Sequence, residues 1–193
     1  MVQSTGVKKL KCAVFISGTG SNLKSLIQFA KKKNSPISIE LIISDNSKAK
    51  GLKFGKIFKI SNKVFNYKER KIAEKKIVSE IKSKKIKLIC LAGFMKILSK
   101  NFIEIFKGKI LNIHPSLLPK YKGLDTHMRV ISNKEKYSGC TVHVVNSRLD
   151  SGKIILQKKI KISKFDTAKS LAKKILIQEH KLYPKAIRKV FNL

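Results

Sequence analysis

Short apolar runs alternate along the chain with segments in which apolar residues recur every three or four positions. The runs are rich in strand-forming residues and end near glycine or a polar turn, whereas the periodic segments carry lysine and glutamate on their opposite face. The runs predict strands at CAVFIS (12–17), ISIELIIS (37–44), IKLICLAG (86–93) and KILNI (109–113), with IFKI (57–60) as a short additional strand. Strands that alternate with helices are typical of βαβ units.

Three periodic segments predict helices between these strands. Their apolar positions are Leu23, Leu26, Ile27 and Ala30; then Ile72, Ala73, Ile77, Val78 and Ile81 within 67–82; and then Ile97, Leu98, Phe102, Ile105 and Phe106, before a stop at Gly108. The strands are apolar throughout, which is typical of a sheet covered on both faces. We therefore expect an α/β fold with a Rossmann-like, mostly parallel sheet and helices on both faces.

The pattern changes after Tyr137. GCTVHVV and GKIILQKKIKI alternate between apolar and polar residues and are joined by NSRLDS, which predicts an antiparallel strand extension of the sheet. From Asp166 the tail predicts a terminal helix with Ala168, Leu171, Ala172, Ile175 and Leu176 on one face. With 193 residues, 42% of them hydrophobic, we expect residues 1–193 to form a single globular domain.

The charge is strongly basic, with a formal net charge of +33 from 44 basic and 11 acidic residues. All but four of the basic residues are lysine, and they are spread along the chain. Dedicated nucleic-acid binding favours arginine at specific contacts. We interpret the charge mainly as compositional bias that also attracts anionic small molecules at low salt. Nucleic acid is not an expected partner.

Cysteine usage and hydropathy indicate the compartment. Cys12, Cys90 and Cys140 are an odd, widely spaced set without a CxxC pair, which favours buried thiols in a reducing environment. The first apolar run is too short for a signal sequence, and no segment reaches the about 18 apolar residues of a membrane span. We therefore expect a cytoplasmic protein that does not enter a membrane.

Ligands in open α/β sheets bind outside the carboxyl ends of the strands, and the first polar segment there is SGTGSN. Gly18 and Gly20, followed by Ser21 and Asn22 at a helix start, expose N–H groups that suit a phosphate. The segment lacks the lysine of a P-loop and the third glycine of a dinucleotide fingerprint. The alternative is a plain tight turn capped by Ser21.

The second segment is LNIHPSLLPKYKG (111–123), and the third is RLDSG (148–152). Alternation in an extended chain places Asn112 and His114 on the same side, where an amide and an imidazole suit an oxyanion. Asp150, one of few acids, would raise the pKa of a neighbouring His114 above about 6.5. The alternatives are a turn-capping amide, a satisfied loop histidine and a surface turn. The histidines lack HxxxH spacing, so we expect no metal site.

Taken in order, ISGTGSNL, LAGFMKILS, ILNIHPSLLPKYKG, GCTVHVV, LDSGKIILQ and QEHKLYP resemble the phosphoribosylglycinamide formyltransferase family of purine biosynthesis. The resemblance runs from about residue 10 to about residue 190. It implies that the formyl group of the co-substrate 10-formyltetrahydrofolate passes to the amino group of glycinamide ribonucleotide by direct amine attack. It implies no metal and no covalent intermediate.

The resemblance also implies residue roles. Asn112 would donate to the oxyanion and contact folate, a protonated His114 would share that load and relay a proton, and Asp150 would orient and charge His114. The ribonucleotide would bind Gly20, Ser21, Asn22 and Glu179, and the folate would bind Arg70, Met95, Lys96, Ile97 and Leu98. Lys68 is the alternative to Arg70, MKIL alone is typical of core, and an isolated glutamate is typically solvated.

Two positions depart from the family pattern. Lys122 stands where proline is common and is expected to loosen its loop, and Asp125 stands where histidine is frequent. Neither is one of the three positions expected to carry the catalysis.

Two other functions compete with this one. Methionyl-tRNA formyltransferase shares HPSLLP and the aspartate but carries an additional C-terminal domain, whereas this chain ends at Leu193. A basic RNA-binding module would need exposed aromatics, and the aromatic residues, 7% of the chain, lie mostly in apolar runs. We expect small-molecule substrates and a monomer or homodimer.

Overall fold

The computed structural model describes residues 9–192, which build a seven-stranded sheet in the order β3-β2-β1-β4-β5-β6-β7. The strands are β1 Leu10–Ile16, β2 Ile37–Ser44, β3 Ser61–Val64, β4 Leu88–Leu91, β5 Lys109–His114, β6 Tyr137–Val144 and β7 Ile154–Lys161. The first five are parallel to one another, while β6 and β7 pair antiparallel with their neighbours. The predicted α/β fold with an antiparallel extension is confirmed.

Helices cover both faces of this sheet. They are α1 Ser21–Ala30, α2 Lys53–Phe58, α3 Arg70–Ser83, α4 Lys100–Ile105, α5 Thr126–Ser132 and α6 Ala168–Val190, with 3₁₀ turns at Lys50–Leu52 and Tyr67–Glu69. One apolar cluster joins the sheet to α1 and α6, and a second joins it to α3 and α4.

The central strand β1 shows why its sequence is apolar throughout. Val14 and Ile16 pack in the cluster with α1 and α6, whereas Ala13 and Phe15 pack in the cluster with α3 and α4. All four side chains are fully buried. A strand buried on both faces needs apolar residues at consecutive positions, so the helix-covered sheet follows from the sequence pattern.

Some predicted elements are wrong. IFKI (57–60) is not a strand, because Phe58 ends α2 and the actual third strand, β3, is an edge strand with all four residues exposed. The helix expected to include Ile97 and Leu98 begins only at Lys100. Ile72 and Ile97 are 50% and 58% exposed, so neither belongs to a buried helix face.

The strand order reverses at β1, which has β2 on one side and β4 on the other. The loops that follow β1 and β4, residues 17–20 and 92–99, therefore border a crevice at the carboxyl edge, where ligands bind in such sheets.

The three predicted thiols are buried and free. Within residues 9–192, no helix combines the length and the apolar character that a membrane crossing requires.

Candidate active site

Asn112 and His114 lie on β5 and project from the same face of the sheet, as the alternation predicts. Leu111, which precedes Asn112, and Ile113, which lies between the two polar residues, pack on the opposite face in the cluster with α6. His114 is buried and Asn112 is half-buried. The strand thus uses one face for the core and the other to present two polar side chains.

Asp150 reaches both residues from the loop between β6 and β7. Its Oδ2 atom lies 3.4 Å from Nδ1 of His114, and its Oδ1 atom accepts a 3.4 Å hydrogen bond from Nδ2 of Asn112. The backbone N–H of Gly123 donates to Oδ2 at 2.9 Å. Asp150 has a left-handed backbone with φ 44°, a conformation that aspartate tolerates better than most residues. The structure therefore brings the three predicted catalytic residues together.

His114 does not have the raised pKa that its carboxylate neighbour suggested. Burial lowers the pKa of His114 from its ordinary value, and this effect outweighs the carbonyl of Tyr121 and the carboxylate of Asp150, which raise it. Its Nε2 atom lies 2.7 Å from the Tyr121 carbonyl oxygen, so Nε2 carries a proton. The neutral ring thus presents the lone pair of Nδ1 towards Asp150.

Asp150 stays ionised in this setting. Burial by itself would raise the pKa of Asp150, but the backbone N–H of Gly123 and the positive charge that His114 can carry lower it. A buried carboxylate is therefore available to balance a positive charge that forms on the imidazole of His114.

His143 is a site residue that sequence reasoning missed. It lies directly opposite Asn112 in the antiparallel β5–β6 pair, with its Nε2 atom 3.1 Å from Nδ2 of Asn112 and 3.6 Å from Oδ1 of Asp150. Its Nδ1 atom lies 3.0 Å from the carbonyl oxygen of Val144 and donates to it. Nε2 then accepts from Asn112, so the imidazole orients the amide.

A cleft opens beside these residues. Its walls come from Lys96, Ile97 and Leu98 on one side, from the 145–150 segment on the other, and from Asn112 at the base, and it encloses about 90 Å³. Met95 is 62% exposed and does not line the cleft. Arg70 lines a separate groove of about 470 Å³ between α3 and α4.

Two carboxylates hold the segment from Met95 to Ser99 at its ends. The Met95 N–H donates to Oγ of Ser17 at 2.8 Å, and that hydroxyl donates to Asp45. At the other end, Glu74 accepts a 2.8 Å bond from the Ser99 N–H and another from the Ser99 hydroxyl. The wall of the cleft is therefore anchored on both sides.

Lys122 lies in the loop between β5 and α5. It was expected to loosen its loop, but its Nζ atom donates to Oγ of Ser151 at 2.8 Å. This bond ties the 121–123 loop to the residue that follows Asp150, so the lysine adds a contact where the family pattern has a rigid proline.

The predicted phosphate segment begins α1. Gly20 has φ 74°, and a Cβ atom there would lie 2.7 Å from Cα of Gly51, so the turn requires glycine. No side chain caps the helix and its first turn contains no acid, so the Ser21-capped turn offered as the alternative is wrong. The first N–H groups of α1 are left available to an anion.

Side chains at this helix start instead contact α6. Nδ2 of Asn22 donates to Oε2 of Glu179 at 2.7 Å, and Oγ of Ser21 lies 2.7 Å from Nε2 of His180. Asn22 and Glu179 are 9% and 6% exposed, so Glu179 is not the solvated residue that its pattern suggests. Burial raises the pKa of Glu179, opposed by the bond from Asn22. The four predicted ribonucleotide-binding positions thus form one cluster, and His180 is an addition to it.

Clusters of metal-ligating side chains are absent from the stretch between residue 9 and residue 192. It contains no group of three or more histidine, cysteine, aspartate or glutamate residues placed to hold an ion.

The fold and site define an α/β protein with an uncapped helix start after β1 and a cleft lined by an amide, an imidazole and a carboxylate. Residues 10–187 match the model of the family described as formyl transferase, and the chain belongs to this family.

Full-length relatives support this assignment. Phosphoribosylglycinamide formyltransferase of Bacillus subtilis is 35% identical over 186 residues, which cover 95% of each chain. The structure of the protein with that name from Brucella melitensis superimposes with a TM-score of 0.89 at 40% identity, covering 95% of this chain and 96% of that one. The resemblance stated from the motifs is confirmed.

A longer human relative, the trifunctional purine biosynthetic protein adenosine-3, is 40% identical over 186 residues. These cover 95% of this chain but only 18% of the human protein.

Proposed function

We propose that this protein transfers the formyl group of 10-formyltetrahydrofolate to the amino group of glycinamide ribonucleotide. The observation that carries the proposal is the convergence of Asn112, His114 and Asp150 beside one cleft, which Asn112 and Asp150 line, in a chain of the formyl transferase family. Relatives of matching length carry the name of this enzyme. We take residues 1–193 as a single catalytic domain that acts on these small molecules in the cytoplasm.

The reaction begins when the amine lone pair attacks the formyl carbon and the carbonyl oxygen becomes an oxyanion. Asn112 has two amide hydrogens, and the structure directs one to His143 at 3.1 Å and the other to Asp150 at 3.4 Å. The bond to Asp150 is the longer and weaker of the two. The hydrogen that makes it therefore turns to the oxyanion at little cost. A donor of this kind is worth about 2.7–4 kcal/mol of barrier.

His114 then moves the proton. The proton of the newly formed ammonium passes through the carboxylate of Asp150, which lines the cleft, to Nδ1 of the neutral His114 ring, 3.4 Å away, and the resulting imidazolium pairs with Asp150. The tetrahedral intermediate expels N10 of the folate, which receives that proton from His114. The products are the formylated ribonucleotide and tetrahydrofolate, and the imidazole returns to its neutral form.

The two substrates occupy adjoining parts of the site. The phosphate of the ribonucleotide binds the N–H groups at Gly20, Ser21 and Asn22, and the buried carboxylate of Glu179 binds ribose hydroxyls. The pterin lies against the Met95–Leu98 segment and Asn112, while Arg70 faces the glutamate tail. The cleft encloses about 90 Å³, whereas ligand pockets measure about 300–1,000 Å³, so the cleft has to widen to admit the pterin.

A rate assay with alternative acceptors tests the proposal. The purified protein is given 10-formyltetrahydrofolate with either glycinamide ribonucleotide or methionyl-tRNA. We expect turnover on the ribonucleotide, near-complete loss in His114→Ala, and wild-type rates in the matched control Asp125→Asn, which alters an exposed acid outside the cleft. Turnover only on the tRNA would reverse the assignment.

A further inference from the structure

His180 contacts the proposed phosphate site without belonging to the positions that the family resemblance names. Its Nε2 atom lies 2.7 Å from Oγ of Ser21, the first residue of α1. Oε2 of the preceding residue, Glu179, accepts a 2.7 Å hydrogen bond from Nδ2 of Asn22. Two consecutive residues of α6 thus bind two consecutive residues at the start of α1.

The two pairs differ in burial and in what they leave free. Asn22 and Glu179 are buried, whereas Ser21 and His180 are half-buried and lie on the solvent side. The Oδ1 atom of Asn22 is buried and has no protein partner, which marks the helix start as a place where a donor from a ligand is still missing. The Glu179 pair is therefore the inner contact and the His180 pair the outer one.

The outer pair adds little to holding the helices together. Oγ of Ser25, one turn further along α1, already donates to the backbone carbonyl of His180 at 3.2 Å, and the Asn22–Glu179 bond is buried. A half-exposed bond between a hydroxyl and an imidazole contributes little net stability, because water replaces either partner. The position of the Ser21–His180 bond at the start of α1 is better explained by a role in binding a ligand.

We propose that His180 is a positioning residue for the phosphate of the ribonucleotide and acts through the hydroxyl of Ser21. The inference rests on the proposed function. A phosphate at the N–H groups of Ser21 and Asn22 also accepts the Ser21 O–H. The hydroxyl hydrogen then points to the phosphate, and the imidazole N–H of His180 donates to Oγ from the other side. His180 thereby fixes the hydroxyl in the rotamer that faces the phosphate and increases its strength as a donor.

The test compares substrates with and without the phosphate. Kinetics are measured with glycinamide ribonucleotide and with its dephosphorylated form, glycinamide riboside, for wild type, His180→Ala and His180→Gln. For His180→Ala we expect KM for the ribonucleotide to rise about tenfold, while kcat and KM for the folate change less than about twofold. The kcat/KM value for the riboside stays at the wild-type level.

Two further variants separate positioning from structure. His180→Gln keeps a side-chain amide that reaches Ser21, and we expect it to recover most of the lost ribonucleotide affinity. Ser25→Ala removes the bond to the His180 backbone while leaving the imidazole in place, so its kinetic constants stay at wild type. Equal losses on both substrates, or no loss in His180→Ala, would overturn the inference.

Calorimetry with the ribonucleotide alone keeps this inference separate from the proposed reaction. A wild-type protein that binds the ribonucleotide about tenfold more tightly than His180→Ala, yet forms no formylated product, would support the role of His180 and contradict the reaction. Turnover with equal affinity in both proteins would support the reaction and contradict the role of His180.

Discussion

The side-chain amide of Asn112 and the imidazole of His143 face each other across the antiparallel β5–β6 pair, with 3.1 Å between Nδ2 and Nε2. Because Nδ1 of His143 donates to the carbonyl of Val144, Nε2 is left to accept from the amide. This contact fixes which way the amide faces and leaves its second hydrogen towards Asp150. His143 therefore acts through Asn112.

A double-mutant cycle tests this relationship. Asn112→Ala should lower kcat by about 100- to 1,000-fold, the cost of one oxyanion donor. His143→Phe should lower kcat by a smaller factor, about tenfold, because the amide remains but turns freely. The double variant should be no slower than Asn112→Ala, since the imidazole then has nothing to orient. The measurement is the steady-state kcat of the wild type and of each variant. If the double variant lost the product of the two single-variant factors, His143 would act independently of Asn112.

The protonation of His114 can be measured directly. Since burial lowers the pKa of His114, we expect its ring proton signal in NMR to titrate below pH 6.5 in the folded protein. Asp150→Asn removes a charge that favours the imidazolium, so it should lower this pKa further. A midpoint above 6.5 in the wild type would contradict the neutral base, and an unchanged midpoint in the variant would contradict the influence of Asp150.

The lowered pKa of His114 also has a consequence for stability. A histidine with a lowered folded-state pKa stabilises the fold above its unfolded pKa of about 6.5, and this contribution is lost as the pH falls through the folded value. The free energy of unfolding, measured by urea denaturation at each pH, should therefore decrease between pH 7 and pH 5 in the wild type. It should decrease less in His114→Gln, and an equal decrease in both proteins would show that His114 does not contribute.

Replacement of Asp150 by asparagine should separate chemistry from binding. The amide of the Asp150→Asn variant keeps an oxygen that accepts the N–H of Gly123, so the loop conformation and the folate dissociation constant should change little. The charge that stabilises the imidazolium of His114 is lost, and kcat should fall about 100- to 10,000-fold. Stopped-flow binding and turnover assays on the same preparation provide both numbers. Turnover at the wild-type rate would remove Asp150 from the mechanism.

Much of the fold could be predicted because its central elements are buried on both faces. The predicted strand ISIELIIS matches β2, Ile37–Ser44, at both ends, and the alternation in β5 places Asn112 and His114 together. The edge strand β3 could not be predicted, since its four exposed residues leave no hydrophobic pattern. The short helices α2 and α5 were missed because each has only a few buried residues, too few to show a helical repeat.

The candidate site was predictable only where its residues are close in sequence or belong to a known motif. His143 is 31 residues from Asn112, and its role depends on the antiparallel register of β6, which no local pattern fixes. His180 is 159 residues from Ser21, and their contact depends on how α6 crosses α1. The pKa of His114 depends on burial, which outweighs the carboxylate neighbour that the sequence did suggest.

Tyr183 offers a test of how α6 is held on the sheet. Its ring is buried, and its hydroxyl lies 3.1 Å from the carbonyl oxygen of Leu91 in β4 and 2.9 Å from that of Leu111 in β5. Tyr183→Phe leaves the packing but removes the only hydrogen this side chain can donate to the two buried acceptors. We expect a loss of about 1–3 kcal/mol in the free energy of unfolding, measured by urea denaturation. Tyr137→Phe, at a residue that is 44% exposed, is the matched control and should stay within about 0.5 kcal/mol of wild type. If both variants unfold at the same urea concentration as wild type, the hydroxyl of Tyr183 does not stabilise the contact between α6 and the sheet.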